Sequence, residues 1–114
     1  PYVYLTKTYN MVGQLTVLTG TTRFYPPANV TLRSAYLTVG DSPTLGNTTI
    51  NIIKNNITTL NTLNITLGSY ISANYVMNAT MTSSDFLTVS TTAASGAGNG
   101  ALTIIYTIDN NPTQ

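Results

Sequence analysis

The sequence lacks most of the side chains on which catalysis and metal binding depend. It contains no His, Cys, Glu or Trp, and its 114 residues include only four cations and three Asp. Acid–base catalysis normally uses His or a pair of carboxylates, and a zinc site needs Cys or His. The composition therefore argues against an enzyme, and it excludes a zinc site built from Cys or His and any disulfide.

The scarcity of charge also restricts the partners that we expect. The net charge is +1, and the four cations are scattered along the chain. Proteins that bind nucleic acid cluster Lys and Arg on one face, so we expect no nucleic-acid partner. No run approaches the ~20 apolar residues of a membrane span, and we expect no membrane association and no cofactor.

The three Asp all lie in or beside predicted turns, as Asp41, Asp85 and Asp109. Two of them could form a glycosidase pair if folding brought them together. Asp109 with the two following Asn, or Asp41 with Ser42, could also supply oxygen ligands to calcium. Asp in a turn more commonly bonds to its own backbone, so we expect no catalytic residue and no metal ligand.

The residues that are abundant favour β-structure. The chain contains 23 Thr, 13 Asn, 8 Ser and 8 Tyr, together with many Val and Ile. β-branched and aromatic side chains suit the half-buried surface of a sheet. Apolar and polar residues alternate from end to end, in segments that recur about every 8–14 residues without a helical window.

We therefore predict a single all-β domain over residues 1–114, an antiparallel β-sandwich of about eight or nine strands. The Cys and Trp signature of immunoglobulin domains is absent. This absence favours a jelly-roll-like arrangement, although alternation alone does not define the order of the strands. The chain begins with Pro1, which we take to follow a removed Met, so that the chain is a complete small protein.

Individual segments give more specific predictions. The pair Asn55-Asn56 between two apolar runs predicts a tight hairpin, since Asn tolerates positive φ. The apolar positions change phase near residues 34–36, which predicts a bulge or a bend within a longer strand. Further strands are predicted at residues 15–17, 23–25, 57–60, 63–67 and 71–81.

The edges of such sheets need protection. Monomeric β-proteins usually protect them with Lys, inward-facing charges or bulges, and seven charged residues are few for eight or nine strands. A net charge near zero also favours association. Either bulges and Pro cover the edges or other subunits do, and we favour assembly into a homo-oligomer.

Five stretches of the sequence resemble a small β-domain of structural proteins in tailed bacteriophages, including cyanophages. They are RFYPPANVTLRSAYLTVG at residues 23–40, SPTLG at 42–46, NIIKNN at 51–56, SDFLTV at 84–89 and ALTIIY at 101–106. Asn56 and Ser84 stand where that domain usually has Gly. The resemblance extends over roughly residues 21–108.

The resemblance implies a virion accessory domain of the sandwich type, and such domains occur on capsids and in tail fibres. The first interpretation is a capsid decoration or cement protein on the outer surface of the particle. It would bind the major capsid protein as a homotrimer and stabilise the shell. The alternative is a tail-fibre or receptor-binding module that recognises host-surface glycans through Tyr, Asn and Thr.

Two segments flank the region of resemblance, residues 1–9 and residues 110–114, and we expect them to act as arms for partner contact. Tyr is enriched at binding surfaces. The predicted contact residues are Tyr2, Tyr4, Tyr9, Asn110 and Asn111.

Overall fold

Seven strands are divided between two antiparallel sheets in the computed structural model, which describes residues 3–109. The strands are β1 (Tyr4–Gln14), β2 (Val30–Asp41), β3 (Thr48–Lys54), β4 (Thr58–Ile65), β5 (Tyr75–Met81), β6 (Leu87–Ala93) and β7 (Gly98–Ile108). Sheet A has the order β1-β7-β2-β5, and sheet B has the order β4-β3-β6. The predicted antiparallel β-sandwich is present, with seven strands in place of eight or nine.

The core lies between the two sheets and consists of aliphatic side chains from the alternating positions of the strands. Leu37 of β2, Ile52 of β3 and Ile104 of β7 are fully buried. Their neighbours along each strand are partly exposed and include Thr38, Asn51 and Thr103, together with Tyr36, Ile53 and Ile105. This arrangement is the usual one for two antiparallel sheets that each have one face in solvent.

The phase change in β2 comes from a bulge. The register against both neighbouring strands shifts between Leu32 and Ser34. Leu32 is buried on one side of the shift, and Ala35 and Leu37 are buried on the other. The predicted bulge is confirmed, a residue or two earlier than expected.

The hairpin between β3 and β4 turns at Asn55 and Asn56, as predicted. Both residues have φ of 56°, and the N–H of Ile57 donates to the carbonyl of Lys54 at 3.0 Å. Two successive positive φ angles define the turn type that matches the twist of paired strands. Asn can take the place of the usual Gly because its short polar side chain tolerates this conformation.

The two strands predicted at residues 57–60 and 63–67 are one strand, β4. Ile52 pairs with Asn61 while Ile53 pairs with Thr59, so Leu60 is an extra residue in β4. This bulge reverses the apolar phase, and the reversal gives the sequence the look of two separate strands.

The strands predicted at residues 15–17 and 23–25 do not form. The connection between β1 and β2 runs along the edge of β6 and touches it at two isolated bridges, Leu18 with Thr91 and Phe24 with Leu87. Five residues of the connection lie between these bridges against three in β6, so the pairing between them is not continuous. Each bridge has two backbone hydrogen bonds of 2.9–3.0 Å.

The strand predicted at residues 71–81 begins later, at Tyr75. In the segment before Tyr75, the polar side chain of Ser72 is buried and the apolar side chain of Ile71 is exposed. The Ser72 hydroxyl accepts the N–H of Leu37 at 2.9 Å and donates to the carbonyl of Ala73 at 2.8 Å. These bonds allow a polar side chain to occupy an inward position.

Candidate partner-binding surfaces

Two of the three acidic side chains, Asp41 and Asp109, are kept far apart by the fold. Asp41 is the last residue of β2, whereas the N–H of Asp109 donates to the carbonyl of Asn29, just before β2, at 2.8 Å. Since a strand rises by about 3.3 Å per residue, the two lie roughly 35–40 Å apart. Asp41 and Asp109 therefore cannot form the carboxylate pair of a glycosidase.

Each carboxylate has hydrogen-bond partners within the fold. Asp41 accepts the side-chain amide of Asn99 at 2.9 Å, and Asp109 accepts the Thr31 hydroxyl at 2.7 Å. Asp85 accepts the Asn55 amide and the backbone N–H of Thr82, both at 2.9 Å. These bonds lower the pKa of Asp85, the Asn55 bond most strongly.

Residues 3–109 show no grouping of metal ligands and no membrane-spanning helix. Within residues 3–109, no three acidic, His or Cys side chains are grouped so that they could hold a metal ion. The same residues include no helix of the length and hydropathy that a membrane span requires.

A groove of about 510 Å³ lies between β1, the connection that follows it and β6. Its apolar lining includes Met11, Leu15 and Leu18, and Thr, Asn and Gln side chains surround this lining. Among residues 3–109, no charged residue lines the groove, and Tyr9 is the titratable side chain in its lining. Burial raises the pKa of Tyr9 to about 12, so the groove can donate and accept hydrogen bonds but offers no acid–base group near neutral pH.

Three of the four outer strands are covered. β4 and β5 contact each other across the sandwich, where the Asn64 N–H donates to the Tyr75 hydroxyl at 3.3 Å. The Lys54 ammonium group also donates to the carbonyl of Thr80 in β5 at 3.1 Å. β6 is covered by the β1–β2 connection. β1 pairs with β7 on one side only, and no strand of residues 3–109 lies on its other side.

One end of the sandwich is apolar. Backbone hydrogen bonds join its loops, from Leu45 to Ser95 at 3.1 Å and from Gly68 to Pro43 at 3.0 Å. Four large apolar side chains are exposed around this end, and we call them the apolar end: Val12, Leu45, Leu67 and Tyr70. Val12 is 93% exposed and Leu45 is 84% exposed. Single exposed apolar side chains are ordinary on a protein surface, whereas an apolar patch marks an interaction site, and the four residues at this end make it the candidate for one.

The charged residues are distributed unevenly along the molecule. Asp41 is the charged residue beside the apolar end, where it binds Asn99. The other six lie in the half of the sandwich away from that end, on or near the far ends of the strands: Lys7, Arg23, Arg33, Lys54, Asp85 and Asp109. Depletion of charge together with exposed aliphatic and aromatic groups is typical of the centre of an interface.

The predicted contact residues have different positions. Tyr4 is 63% exposed at the start of β1. Tyr9 is half-buried, and its hydroxyl donates weakly to the carbonyl of Leu87 at 3.4 Å. Tyr2, Asn110 and Asn111 lie outside the described residues. Much of the expected N-terminal arm is part of β1, so it belongs to the sheet, and its role in partner contact stays a prediction.

The apolar end was not found from the sequence. Its residues come from the end of β1, the β2–β3 loop and the β4–β5 connection, which are far apart in sequence. Only the topology brings these loops together. Small and turn-forming residues mark these segments as loops in the sequence. Loops carry binding residues more often than strands do, and this was the one sequence signal for a binding surface here.

Comparison with known proteins gives matches in structure alone. No protein-family model and no curated protein matches the chain. A chain of the cyanophage Pam1 capsid asymmetric unit has a TM-score of 0.57 and 15% identity, over 95% of this chain and 86% of that one. At this identity, the likeness shows a shared fold.

Two further structures have lower scores. The capsid of Helicobacter pylori bacteriophage KHP30 gives a TM-score of 0.49 with 13% identity, over 95% of both chains. A Bacillus endospore appendage gives 0.44 with 23% identity, over 96% of this chain and 92% of that one. Scores at this level do not establish a common fold.

Proposed function

We propose that this chain is a virion structural protein that decorates the outer surface of a bacteriophage capsid and stabilises the shell. The partner is the major capsid protein. The observation that carries the proposal is the apolar end, which offers exposed aliphatic and aromatic groups beside a single charge, Asp41. The fold shared with a chain of a cyanophage capsid and the resemblance to phage structural domains support the same role.

The strand order supports this proposal when the β1–β2 connection is counted as an eighth, interrupted strand. Sheet B then has the order β4-β3-β6-connection, and each sheet has four strands. Apart from the β3–β4 hairpin, successive strands alternate between the sheets as in a jelly roll, a double-sheet fold found in viral capsid domains. We infer a jelly roll in which this one strand retains only its bridges at Leu18 and Phe24.

The apolar end of one copy is small for a stable interface, and this favours attachment by several linked copies of the protein. The Cα atoms extend over 52 × 26 × 20 Å, so a copy that binds end-on covers roughly 500 Å², less than the ~800 Å² per partner of a standard interface. One copy therefore binds weakly, and several linked copies gain affinity through avidity. A homo-oligomer fits this requirement, and the trimer implied by the phage resemblance is one form of it.

Stabilisation of the shell follows from mass action. A protein that binds the assembled shell and not its dissociated subunits lowers the free energy of the assembly by an amount that grows with concentration. Phage particles produced without this protein should therefore lose their contents at a lower temperature and under milder osmotic shock. Equal survival of particles with and without the protein would contradict a cement function.

The surface that carries the attachment can be tested with a matched pair of variants. Leu45 at the apolar end and Ile57 at the opposite hairpin are 84% and 85% exposed. Leu45→Asp places a charge in the proposed contact, and we expect at least a tenfold loss of binding to undecorated particles in a co-sedimentation assay. Ile57→Asp should bind as the unaltered protein does. Equal binding by both variants would exclude the apolar end.

The groove supports a second candidate, a receptor-binding module for host-surface glycans. Its volume lies in the range of small-molecule sites, and amides and hydroxyls at Asn10, Gln14 and Thr16 stand beside the apolar side chain of Leu15. Such a mixed lining suits the alternating polar and apolar faces of a sugar. A glycan array probed with the soluble protein tests this role, and binding that is lost in Gln14→Ala would favour it over decoration.

A further inference from the structure

β1 is a long strand with an open edge. It has 11 residues, its register with β7 is continuous from Tyr4 to Met11, and no strand of residues 3–109 covers its outer side. Alternate backbone N–H and C=O groups of an edge strand point outward and can pair with another strand. The other three outer strands are covered, so strand addition has one place to occur in the described part of the fold.

The sequence of β1 is complementary to itself in an antiparallel arrangement centred on Thr8. The polar face then pairs Tyr4 with Val12 and Thr6 with Asn10, and Thr8 meets Thr8 of the second copy. Tyr4 and Val12, which are 63% and 93% exposed in one copy, would cover each other. Aromatic with β-branched pairs and Thr pairs are favourable cross-strand contacts.

The inward face of β1 is matched in the same register. Leu5 lies opposite Met11, and both are partly buried residues that pack against the core. Lys7 lies opposite Tyr9, whose ring already attracts the Lys7 ammonium group of the same chain, with Nζ 5.0 Å from the ring centroid. A cation beside an aromatic ring is favourable. Both faces therefore support one register.

Other registers are less favourable. A shift by one residue places the inward face of one copy beside the outward face of the other. Centring the pair on Lys7 sets two ammonium groups directly opposite each other, and like charges in that position are destabilising. Centring on Tyr9 places Tyr4 opposite Gln14 and leaves Val12 opposite Thr6, which separates the two exposed apolar groups.

We propose that two copies of this chain associate by antiparallel pairing of β1 with β1, about a two-fold axis at Thr8, to join two copies of sheet A into one eight-stranded sheet. An isologous contact of this kind is the commonest form of homo-oligomer. The occupant of the open edge is therefore a second copy of the chain.

The absence of Cys allows a direct test, because one introduced Cys is the single thiol of the molecule. Opposite residues of antiparallel strands have Cα atoms about 4.5–5.5 Å apart, within the range that a disulfide spans. Thr8→Cys should therefore form a disulfide-linked dimer under mild oxidation. Thr6→Cys should not, because its two copies lie four residues apart along the pair, about 13 Å.

A mixture provides the second arm of the experiment. Thr6→Cys and Asn10→Cys should each form little disulfide-linked dimer alone and form a mixed disulfide when combined, since Thr6 lies opposite Asn10. The side chains of all three positions are exposed or face solvent, and circular dichroism verifies the fold of each variant. The unaltered protein should show a concentration-dependent dimer in sedimentation equilibrium.

Two results would overturn the proposal. One is the absence of a disulfide in Thr8→Cys, or cross-linking by Thr6→Cys alone at the same rate. The other is a mass in solution that is trimeric or that stays monomeric at every concentration. These measurements use the purified protein without particles, so their outcome is independent of whether the protein decorates a capsid.

Discussion

Asn55 holds Asp85 and the residue after it through both ends of its side-chain amide. Its Nδ2 group donates to the Asp85 carboxylate at 2.9 Å, and its carbonyl oxygen accepts the N–H of Phe86 at 3.0 Å. The backbone N–H of Asn55 also donates to the Phe86 carbonyl at 2.9 Å. The β3–β4 hairpin is thereby fastened to the turn that leads into β6.

Loss of the Asn55 side chain should weaken this connection in a pH-dependent way. Asn55→Gly keeps the positive φ of the turn and removes both side-chain bonds. The pKa of Asp85 in the folded protein is below its ordinary value of 3.8, first because of Asn55 and then because of the Thr82 N–H. The charged carboxylate therefore stabilises the fold above that value, and this contribution is lost as pH falls through the folded pKa.

The measurement is the urea midpoint of the unaltered protein and of the variant at neutral pH and near pH 2. We expect Asn55→Gly to lower the midpoint at neutral pH, and the difference to shrink at the acid value. Asn56→Gly is the control, because it has the same φ of 56° and one weak side-chain contact with Thr88 at 3.5 Å. A pH-independent loss would show that Asp85 is not the partner that matters.

Gly20 lies so close to the backbone of β6 that a side chain has no room there. A Cβ at this position would lie 1.7 Å from the carbonyl oxygen of Val89, which is backbone and cannot rotate away. Gly20→Ala should therefore displace the connection from β6 and lower the free energy of unfolding by about 1–3 kcal/mol, the usual cost of overpacking. Thermal denaturation of this variant beside Thr19→Ala, an exposed neighbour, isolates the effect. Equal stability of the two would refute the contact.

Ser72 supports the loop that carries Tyr70. Its hydroxyl accepts the N–H of Leu37 inside the fold, and Ser72→Ala leaves this buried donor without its partner at a cost of about 1–3 kcal/mol. We also expect weaker attachment to particles, since Tyr70 belongs to the apolar end. Ser83→Ala, in an exposed turn, should change neither stability nor attachment. Unfolding in urea and particle co-sedimentation measure the two effects.

Tyr9 should be recognisable by its ionisation. Burial raises its pKa from 10.0 to about 12. Since the unfolded chain deprotonates more readily, the neutral phenol contributes stability below pH 10 that is lost as pH rises towards 12. Ultraviolet titration should show a tyrosinate step near pH 12 that disappears in Tyr9→Phe. A step that persists in this variant would place the shifted pKa on another Tyr.

The alternation of apolar and polar side chains predicted a strand correctly when each change in its phase was assigned correctly to a bulge or to a break. Near Ser34 the phase change was assigned to a bulge, and the strand was predicted whole. At Leu60 an equivalent change was assigned to a break, and one strand was divided into two. A bulge and a turn both reverse the phase, and only the paired strand shows which is present.

The surfaces were less predictable than the strands. The hairpin at Asn55 could be foreseen because two adjacent Asn are a local signal. Val12, Leu45 and Tyr70 give no such signal, since they lie in three segments that are far apart in sequence. The burial of Ser72 could not be foreseen, because alternation does not record a hydrogen bond that makes an inward hydroxyl favourable.

In the β1–β1 pair Val12 is covered by Tyr4 of the second copy, whereas Leu45 and Tyr70 of the apolar end stay exposed, and their position at one end of the sandwich has a consequence for valency. The two strands of a β1–β1 pair run in opposite directions, so the apolar ends of the two copies point away from each other. One copy has a single adhesive surface, whereas the pair is divalent. Such a pair can hold one binding partner at each of its two ends, in opposite directions.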